Sequence, residues 1–453
     1  MNLPNYFLAD LPEAATLTAS LIAEACRALA RNRDQYLAGR TTQSLVSLLS
    51  DLAENWRDAD YPFRKLALEH GPAAAGLSAA TLASGLDAFF SQLTVENLQA
   101  LLRQELGHAH RLDQFVGTAA EHQTPRTALA TGPRLLVHIT AGNLPAPTLM
   151  SLVLGLLARS GQFVKCASGA ALLPRLFAHS LYEVEPKLGA CLEIAEWKGG
   201  RLELEQALYA EADCLTATGS DDTLAEIRRH LPTNVRFLGF GNRVSFGFIS
   251  REALSSHGAK KVAAKAAADV VAWNQLGCLS PHLFYVENRG AVAPDIFAEL
   301  LATELARREE TEPRGEIAVA EAAAIASRRA LYQIRAASSS GTCLWQSRDS
   351  TAWTVVYEAE PRFQFSCLNR FVYVKAVDSL TDALHAAESV RGKVSTVGLA
   401  ASSPRADHLA TELARWGVTR VCPVGQMQNP PLTWRHDGRP ALGDLVRWTD
   451  WEK

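Results

Sequence analysis

A single thiol is the first group in this chain that could do covalent chemistry. Asp269 to Leu283 reads D-V-V-A-W-N-Q-L-G-C-L-S-P-H-L, with Cys278 between Gly277 and a Ser-Pro turn. A thiolate at such a turn can attack a carbonyl carbon and hold the acyl group as a thioester. A buried packing cysteine is the commoner use of the residue, and no Asp, Glu or Lys flanks this one. His282 is the nearest histidine, and one neighbouring imidazole does not define a Cys/His pair.

Three other segments carry polar groups where a ligand could meet them. Thr216-Ala-Thr-Gly-Ser-Asp-Asp-Thr223 stands where a strand should hand over to a helix. Gly219 and Ser220 there could receive a pyrophosphate on exposed backbone N–H groups, or simply cap the helix. Lys165 ends the run Phe163-Val-Lys, at the carboxyl edge where open sheets bind ligands. Asn143, in Ala-Gly-Asn-Leu-Pro, could cap a loop or stabilise a developing oxyanion with its amide. His138, inside an apolar run, reads as a satisfied core histidine, and His282 and His436 as polar-loop residues. There is no G-x-G-x-x-G fingerprint.

These residues need a scaffold, and the hydrophobic pattern supplies one. Residues 13 to about 120 read as helices, punctuated by Gly71-Pro72 and Gly76. Short apolar runs at 134–140, 161–166, 191–195, 213–218 and 235–239 then alternate with helical patterns, which predicts parallel β-α-β units. A second series follows Cys278. Its strands are expected at 283–287, 353–358, 371–376, 394–400 and 418–422, and its helices at 292–309, 318–336, 379–390 and 404–416. Glu312-Pro-Arg-Gly315 reads as a helix break and Ser338-Ser-Ser-Gly341 as a flexible loop. The expected organisation is a helical region plus nucleotide-binding domain over 1–248 and a domain carrying Cys278 over 249–425. A C-terminal segment, 426–453, packs back on the first domain or at an oligomer interface.

The bulk numbers exclude several classes. With 453 residues, two domains are the default. A formal charge of −3 gives no electrostatic reason to expect nucleic acid or an anionic membrane. Eight scattered cysteines without a C-x-x-C pair argue against zinc and against a disulfide framework, and point to a reducing cytoplasm. No signal peptide is expected from the first residues. The apolar run Leu149 to Ala158 is about half the length of a bilayer-spanning helix.

The order of the pieces is more specific than any one of them. Ala141-Gly-Asn-Leu-Pro145, Phe163-Val-Lys-Cys-Ala-Ser168, Ala217-Thr-Gly-Ser220 and Trp273-Asn-Gln-Leu-Gly-Cys278 resemble the aldehyde dehydrogenase motifs P-W-N-F-P, K-P-S-E, T-G-S and F-x-N-x-G-Q-x-C. More closely, the chain resembles the bacterial luminescence-type (LuxC) acyl-CoA, or fatty-acid, reductases. That resemblance extends over Phe237 to Phe248, Pro423-Val-Gly-Gln-Met-Gln428 and the tail from Trp434. It implies an aldehyde dehydrogenase-like α/β fold of two parallel-sheet domains with a small oligomerisation extension, and an active site in a cleft between the domains. It makes Cys278 the nucleophile, Asn143 the oxyanion donor, Lys165 and Ser168 the ribose contacts, and Gly219-Ser220 the pyrophosphate turn.

The implied reaction is reduction of a long-chain fatty acyl thioester, from coenzyme A or an acylated protein, to the aldehyde. Implied partners are an acyl-protein synthetase and further copies of the chain. Departures from the dehydrogenases refine this. Their E-L-G-G-K glutamate activates water, whereas residues 236 to 248 contain no acid. Without that base, hydrolysis of the acyl-enzyme loses an acceleration of about 10²–10⁴-fold. Ser168 stands where K-P-S-E has its ribose-gripping glutamate, which removes repulsion against a 2′-phosphate; with Lys165 this favours NADPH, NADH remaining possible. The E-x-F-G-P glutamate is missing too, and Ser366-Cys-Leu-Asn-Arg-Phe371 occupies its region. A CoA-acylating aldehyde dehydrogenase running oxidatively and a non-redox acyl carrier are the competing readings.

Overall fold

The first five strands expected from the apolar runs are present in a computed structural model, which describes residues 3–12, 14–142, 144–255 and 258–453. The chain divides into two units. One comprises Met1–Ala75, Leu86–Gly241 and Pro431–Lys453; the other comprises Gly76–Gly85 and Asn242–Pro430.

In the first unit, a short strand β1 (Arg126–Thr131) precedes β2 (Leu135–Ile139), β3 (Gly161–Cys166), β4 (Leu192–Glu196), β5 (Cys214–Thr218) and β6 (Arg236–Phe240). Strands β2 to β6 form a parallel sheet in the order β4-β3-β2-β5-β6. The chain winds outward from β2 in both directions, so the carboxyl ends of β2, β3 and β5 frame the switch point where open sheets bind ligands. One face is sealed by the helix Ala19–Asn32, whose Ile22 and Leu29 pack on Leu135, Val137, Phe163 and Leu215. Thr18, Thr41 and Thr94 cap three of the N-terminal helices with their side chains. The expected break at Gly71-Pro72 is not one. The helix Pro62–Ala75 runs through it and ends before Gly76, whose φ of +64° is a left-handed stop. His138 is a satisfied core histidine: Nδ1 lies 2.7 Å from Thr216 Oγ1 and Nε2 3.0 Å from Gln162 Oε1. Burial holds its pKa down to about 4.

The second unit holds β7 (Val244–Ile249), β8 (Pro281–Glu287), β9 (Thr342–Gln346), β10 (Thr354–Glu358), β11 (Phe371–Val377), β12 (Val394–Ala400) and β13 (Arg420–Pro423). Their order is β13-β12-β7-β8-β11-β10-β9, parallel except that β9 runs antiparallel along β10. Alternate residues feed two cores. Leu283, Tyr285 and Tyr373 face one side of the sheet, and Phe284, Val286, Val372 and Val374 the other. Covering on both faces is why these strands read as unbroken apolar runs. Ser338–Gly341, expected as a flexible loop, forms a tight turn: the helix Val319–Ser338 ends there, and Thr342 N–H donates to the Ser339 carbonyl at 3.4 Å as β9 begins.

The tail from Pro431 belongs to the first unit. Both oxygens of Glu105 accept its N–H groups, Ala441 at 2.9 Å and Leu442 and Gly443 at 2.5 and 2.9 Å. It ends in β14 (Arg447–Glu452), which pairs antiparallel with β1 as a two-stranded ribbon.

Candidate active site

Cys278 lies on a turn between the helix Gly258–Val271 and β8, half-buried, with the turn closed by the Ser280 N–H donating to the Gly277 carbonyl at 3.0 Å. The approach is unusual backbone. Trp273, Asn274 and Gln275 have φ of +53°, +51° and +64°, three consecutive left-handed residues without a glycine. Such residues cost about 1–2 kcal/mol each, so surrounding structure must hold them. It does. Gln275 is fully buried, and its Nε2 donates to the Pro281 carbonyl at 2.7 Å and the Phe371 carbonyl at 2.9 Å. Asn274 donates to the Arg314 carbonyl at 2.8 Å and accepts from Arg370 Nε at 3.1 Å. Arg370 itself ends a second left-handed run, Leu368-Asn369-Arg370. Glu312-Pro-Arg-Gly315, legible in sequence only as a break, is therefore part of the support under the cysteine turn.

Two more contacts fix the far side of that turn. Ser245 Oγ, on β7, donates to the Cys278 carbonyl at 2.7 Å and accepts the Thr396 N–H at 3.1 Å. Gln428 donates to Ser280 Oγ at 2.8 Å. The segment bearing Gln428 is anchored by the buried carboxylate of Asp269, which accepts the Gly425 N–H at 2.6 Å and the Met427 N–H at 2.9 Å. Burial raises the Asp269 pKa to about 7, against the lowering effect of those two bonds. Nothing in the residue types near Cys278 announced Ser245, Gln275 or Asp269; only the distances do.

His282, four residues beyond Cys278, receives the Ser366 N–H on Nδ1 at 3.1 Å, with Ser366 Oγ also 3.0 Å away. An accepting Nδ1 puts the ring hydrogen on Nε2. Burial lowers its pKa to about 4, so the ring is neutral near pH 7. Ser366, in the segment that stands in the region of the absent E-x-F-G-P glutamate, thus orients an imidazole.

The remaining site candidates lie on the first unit, at the carboxyl edge of its sheet. Lys165 is 5% exposed near the end of β3, and its Nζ sits 5.7 Å from the Trp197 ring centroid. Its ammonium donates no hydrogen bond to a described residue, and burial pushes its pKa down against the pull of Glu205. Ser168 is exposed on the following turn, next to Gly169 at φ +82° with open space beside its α-carbon. A carboxylate lies on this turn after all: Glu196, at the end of β4, accepts the Gly169 N–H at 2.7 Å. Gly219 and Ser220 follow β5. Gly219 N–H donates to the Phe240 carbonyl at 3.2 Å, and Ser220 caps the helix Asp221–His230 by accepting the Thr223 N–H at 3.1 Å. Asp221 and Asp222 place two carboxylates in that helix's first turn. The capping geometry is what the structure displays there. Asn143 lies outside the described residues.

A buried lysine without a hydrogen-bonding partner among the described residues, near an open glycine turn at a sheet switch point, fits a dinucleotide. A cavity of about 300 Å³ lined by Arg27, Arg31, Arg134 and Glu211 lies at the opposite, amino-terminal edge of the sheet. Among the described residues no group of three His, Cys, Asp or Glu could hold a metal ion, and no single helix is long and apolar enough to cross a membrane.

With that geometry in place, similarity to known proteins is informative. A family model described as acyl-CoA reductase (LuxC) matches residues 37–448. The chain is 23% identical over 424 residues to a long-chain acyl-protein thioester reductase of Aliivibrio fischeri, covering 90% of this chain and 82% of that one. It is 22% identical over 433 residues to a protein of the same name from Vibrio harveyi, covering 92% and 84%. Among solved structures, an NAD-dependent benzaldehyde dehydrogenase from Corynebacterium glutamicum superposes with a TM-score of 0.68 at 14% identity, over 97% of this chain and 92% of that one. A bifunctional proline utilization A protein matches with a TM-score of 0.71 at 17% identity, and this chain spans 45% of its length. The shared architecture is the aldehyde dehydrogenase-like α/β fold.

Proposed function

Since the chain belongs to the acyl-CoA reductase (LuxC) family of oxidoreductases, we propose that it reduces a long-chain fatty acyl thioester to the aldehyde through an acyl-enzyme on Cys278. The Cys278 sulfur attacks the thioester carbonyl, forming a new carbon–sulfur bond as the bond to the carrier thiol breaks. A reduced nicotinamide, when bound, supplies the hydride that turns the acyl group into aldehyde. The observation that carries this reading is the turn itself: a half-buried thiol on a turn whose Cys278 carbonyl, Ser280 hydroxyl and Pro281 carbonyl are held by Ser245, Gln428 and Gln275. Such preorganisation keeps the nucleophile in place during two successive displacements. Asn143 remains the proposed oxyanion donor, and Lys165, Ser168, Gly219 and Ser220 the proposed dinucleotide contacts.

Residues 236 to 248 hold no carboxylate of their own, which removes the base that the dehydrogenases carry in that segment and favours reduction over hydrolysis. Lys165 and an uncharged Ser168 favour NADPH; NADH is the second reading, favoured by the Glu196 carboxylate on the same turn. The relatives' name supports an acyl-protein carrier and the family description an acyl-CoA one, and an acyl-protein synthetase is the partner that this reading adds. A cytoplasmic homo-oligomer completes the reading.

Radiolabelled acyl-CoA incubated with wild type and with Cys278→Ala, followed by NADPH or NADH, tests it. Label should attach to wild type alone and leave as aldehyde once the dinucleotide is added. Label that persists on Cys278 with either dinucleotide identifies a non-redox acyl carrier instead, and equal labelling of the alanine variant removes Cys278 from the reaction.

A further inference from the structure

On the approach to the cysteine turn, one carboxylate holds two groups that grip the same amide. Arg370 is fully buried. Its Nη1 donates to Glu309 Oε2 at 2.8 Å and to the Glu312 carbonyl at 2.7 Å, and its Nε to Asn274 Oδ1 at 3.1 Å. Glu309 also accepts the Arg314 N–H, which lies 3.1 and 3.2 Å from its two oxygens. The Arg314 carbonyl in turn accepts from Asn274 Nδ2 at 2.8 Å. Both ends of the Asn274 side chain are thus tied back to Glu309. The ring closes on two left-handed residues, Asn274 at φ +51° and Arg370 at φ +66°. Such backbone persists only where its surroundings over-determine it, and Asn274 stands four residues before Cys278.

Burying an ion pair does not by itself require this arrangement. Arg405, in the same unit, pairs with the buried Glu287 at 2.7 and 2.5 Å, at the far end of β8. Its side-chain bonds go to Glu252 and Glu287, and none reaches the cysteine turn.

Resting on the acyl-enzyme reading above, we propose that Arg370 and Glu309 are positioning residues for Cys278. Through Asn274 they fix the left-handed backbone before the turn, and so the line along which the sulfur meets an acyl carbonyl. Attack on a carbonyl demands alignment as well as contact, and a misplacement of about 1 Å costs about 10²-fold in rate. A small alkylating reagent that diffuses to the thiol chooses its own approach. Comparing the two reactions therefore separates orientation from exposure.

Two measurements on the full-length protein test this: single-turnover release of coenzyme A from saturating acyl-CoA, and iodoacetamide alkylation located at Cys278 by peptide mass. Asn274→Gly removes both side-chain bonds while glycine still adopts the left-handed backbone. Arg370→Lys keeps a charge toward Glu309 and loses the fork that reaches Asn274. Coenzyme A release should slow by about 10- to 100-fold in both variants, with alkylation and the half-saturating acyl-CoA concentration unchanged. The control Arg405→Lys should lower the ligand-free melting temperature and leave the ratio of the two rates as in wild type. If Arg370→Lys does not fold, Asn274→Gly decides alone. Equal release rates in wild type and Asn274→Gly overturn the proposal. A parallel fall in release and alkylation overturns it too, since the network would then only keep the thiol accessible. Should wild type release no coenzyme A while Cys278 still alkylates, the acyl-enzyme reading fails, and this inference with it.

Discussion

The side chain of Asp269 shows how far a single residue acts from its own position. Its carboxylate touches neither Cys278 nor the turn, yet it fixes Gly425 and Met427, and through that segment Gln428 reaches Ser280. Because burial raises its pKa in the folded chain to about 7, above the ordinary 3.8, the folded state binds the extra proton between those values. Stability from this group is therefore fully present below about pH 4 and lost as pH rises toward 7. The neutral buried rings of His138 and His282, held down to about 4, act in the opposite sense as pH rises from 4 to 6.5, so wild type alone does not isolate Asp269. The difference between wild type and Asp269→Asn does. Urea unfolding of both proteins from pH 4.5 to 7.5 should show that difference shrinking with pH, at a slope of at most about 1.4 kcal/mol per unit. A constant difference would mean that the carboxylate is ionised throughout. Neighbouring Gln275 makes a sharper test of the turn. Gln275→Ala leaves the Pro281 and Phe371 carbonyls without their donor and should cost about 2–4 kcal/mol. Acyl labelling of Cys278 should slow with it, whereas an exposed glutamine such as Gln114 should tolerate alanine.

Burial made most elements legible, with β7 (Val244–Ile249) the exception: it is buried throughout, but Ser245 and Gly247 interrupt its apolar run and no strand is expected there. The five strands of the nucleotide-side sheet and the long helices follow from apolar runs and helical spacing, because parallel strands covered on both faces carry few polar residues to interrupt them. Strand β9 escaped because it is an edge strand whose Cys343, Leu344, Trp345 and Gln346 are only partly covered, and a run of serines precedes it. The pair β1–β14 joins residues over three hundred positions apart, which no local pattern can foretell. The candidate site divides the same way. Cys278, Lys165 and the strand ends were visible as residue types in order, while Glu196 entered only through a tertiary contact. Left-handed backbone at Trp273, Asn274 and Gln275 was invisible because none of the three is glycine. Gly85 carries a related message at the level of a helix. It lies in the helix Ala79–Phe90, where a Cβ would come within 2.2 Å of the Trp273 ring. Intrinsic propensity favours Gly85→Ala by about 1 kcal/mol, but the buried ring and its left-handed backbone have little room to shift. The clash should win. Denaturant melts are expected to show a net loss of about 1–3 kcal/mol, and a gain in stability would show that Trp273 moves freely.

At the scale of the whole molecule, the ribbon of β1 and β14 is the element least accounted for by the chain that carries it. All six residues of β14 are exposed, with Trp448 and Trp451 45% and 51% accessible, although Arg111 lies 5.4 Å over the Trp448 ring and Phe115 meets Trp451 edge-on. Two strands alone are marginally stable in water, and a strand edge with exposed indoles is a template for pairing. A second copy offering the same edge satisfies both requirements with a closed, two-fold contact. Light scattering should therefore give a dimer or larger assembly at micromolar concentration. Removing Arg447–Lys453 should shift the protein to monomer while the Glu105 anchor keeps the preceding tail in place. A monomeric full-length chain, or an assembly unchanged by the deletion, would assign the ribbon to the chain's own stability rather than to assembly. Circular dichroism melts of the truncated protein distinguish those outcomes, since a ribbon that serves only its own chain would lower the melting temperature without changing the mass.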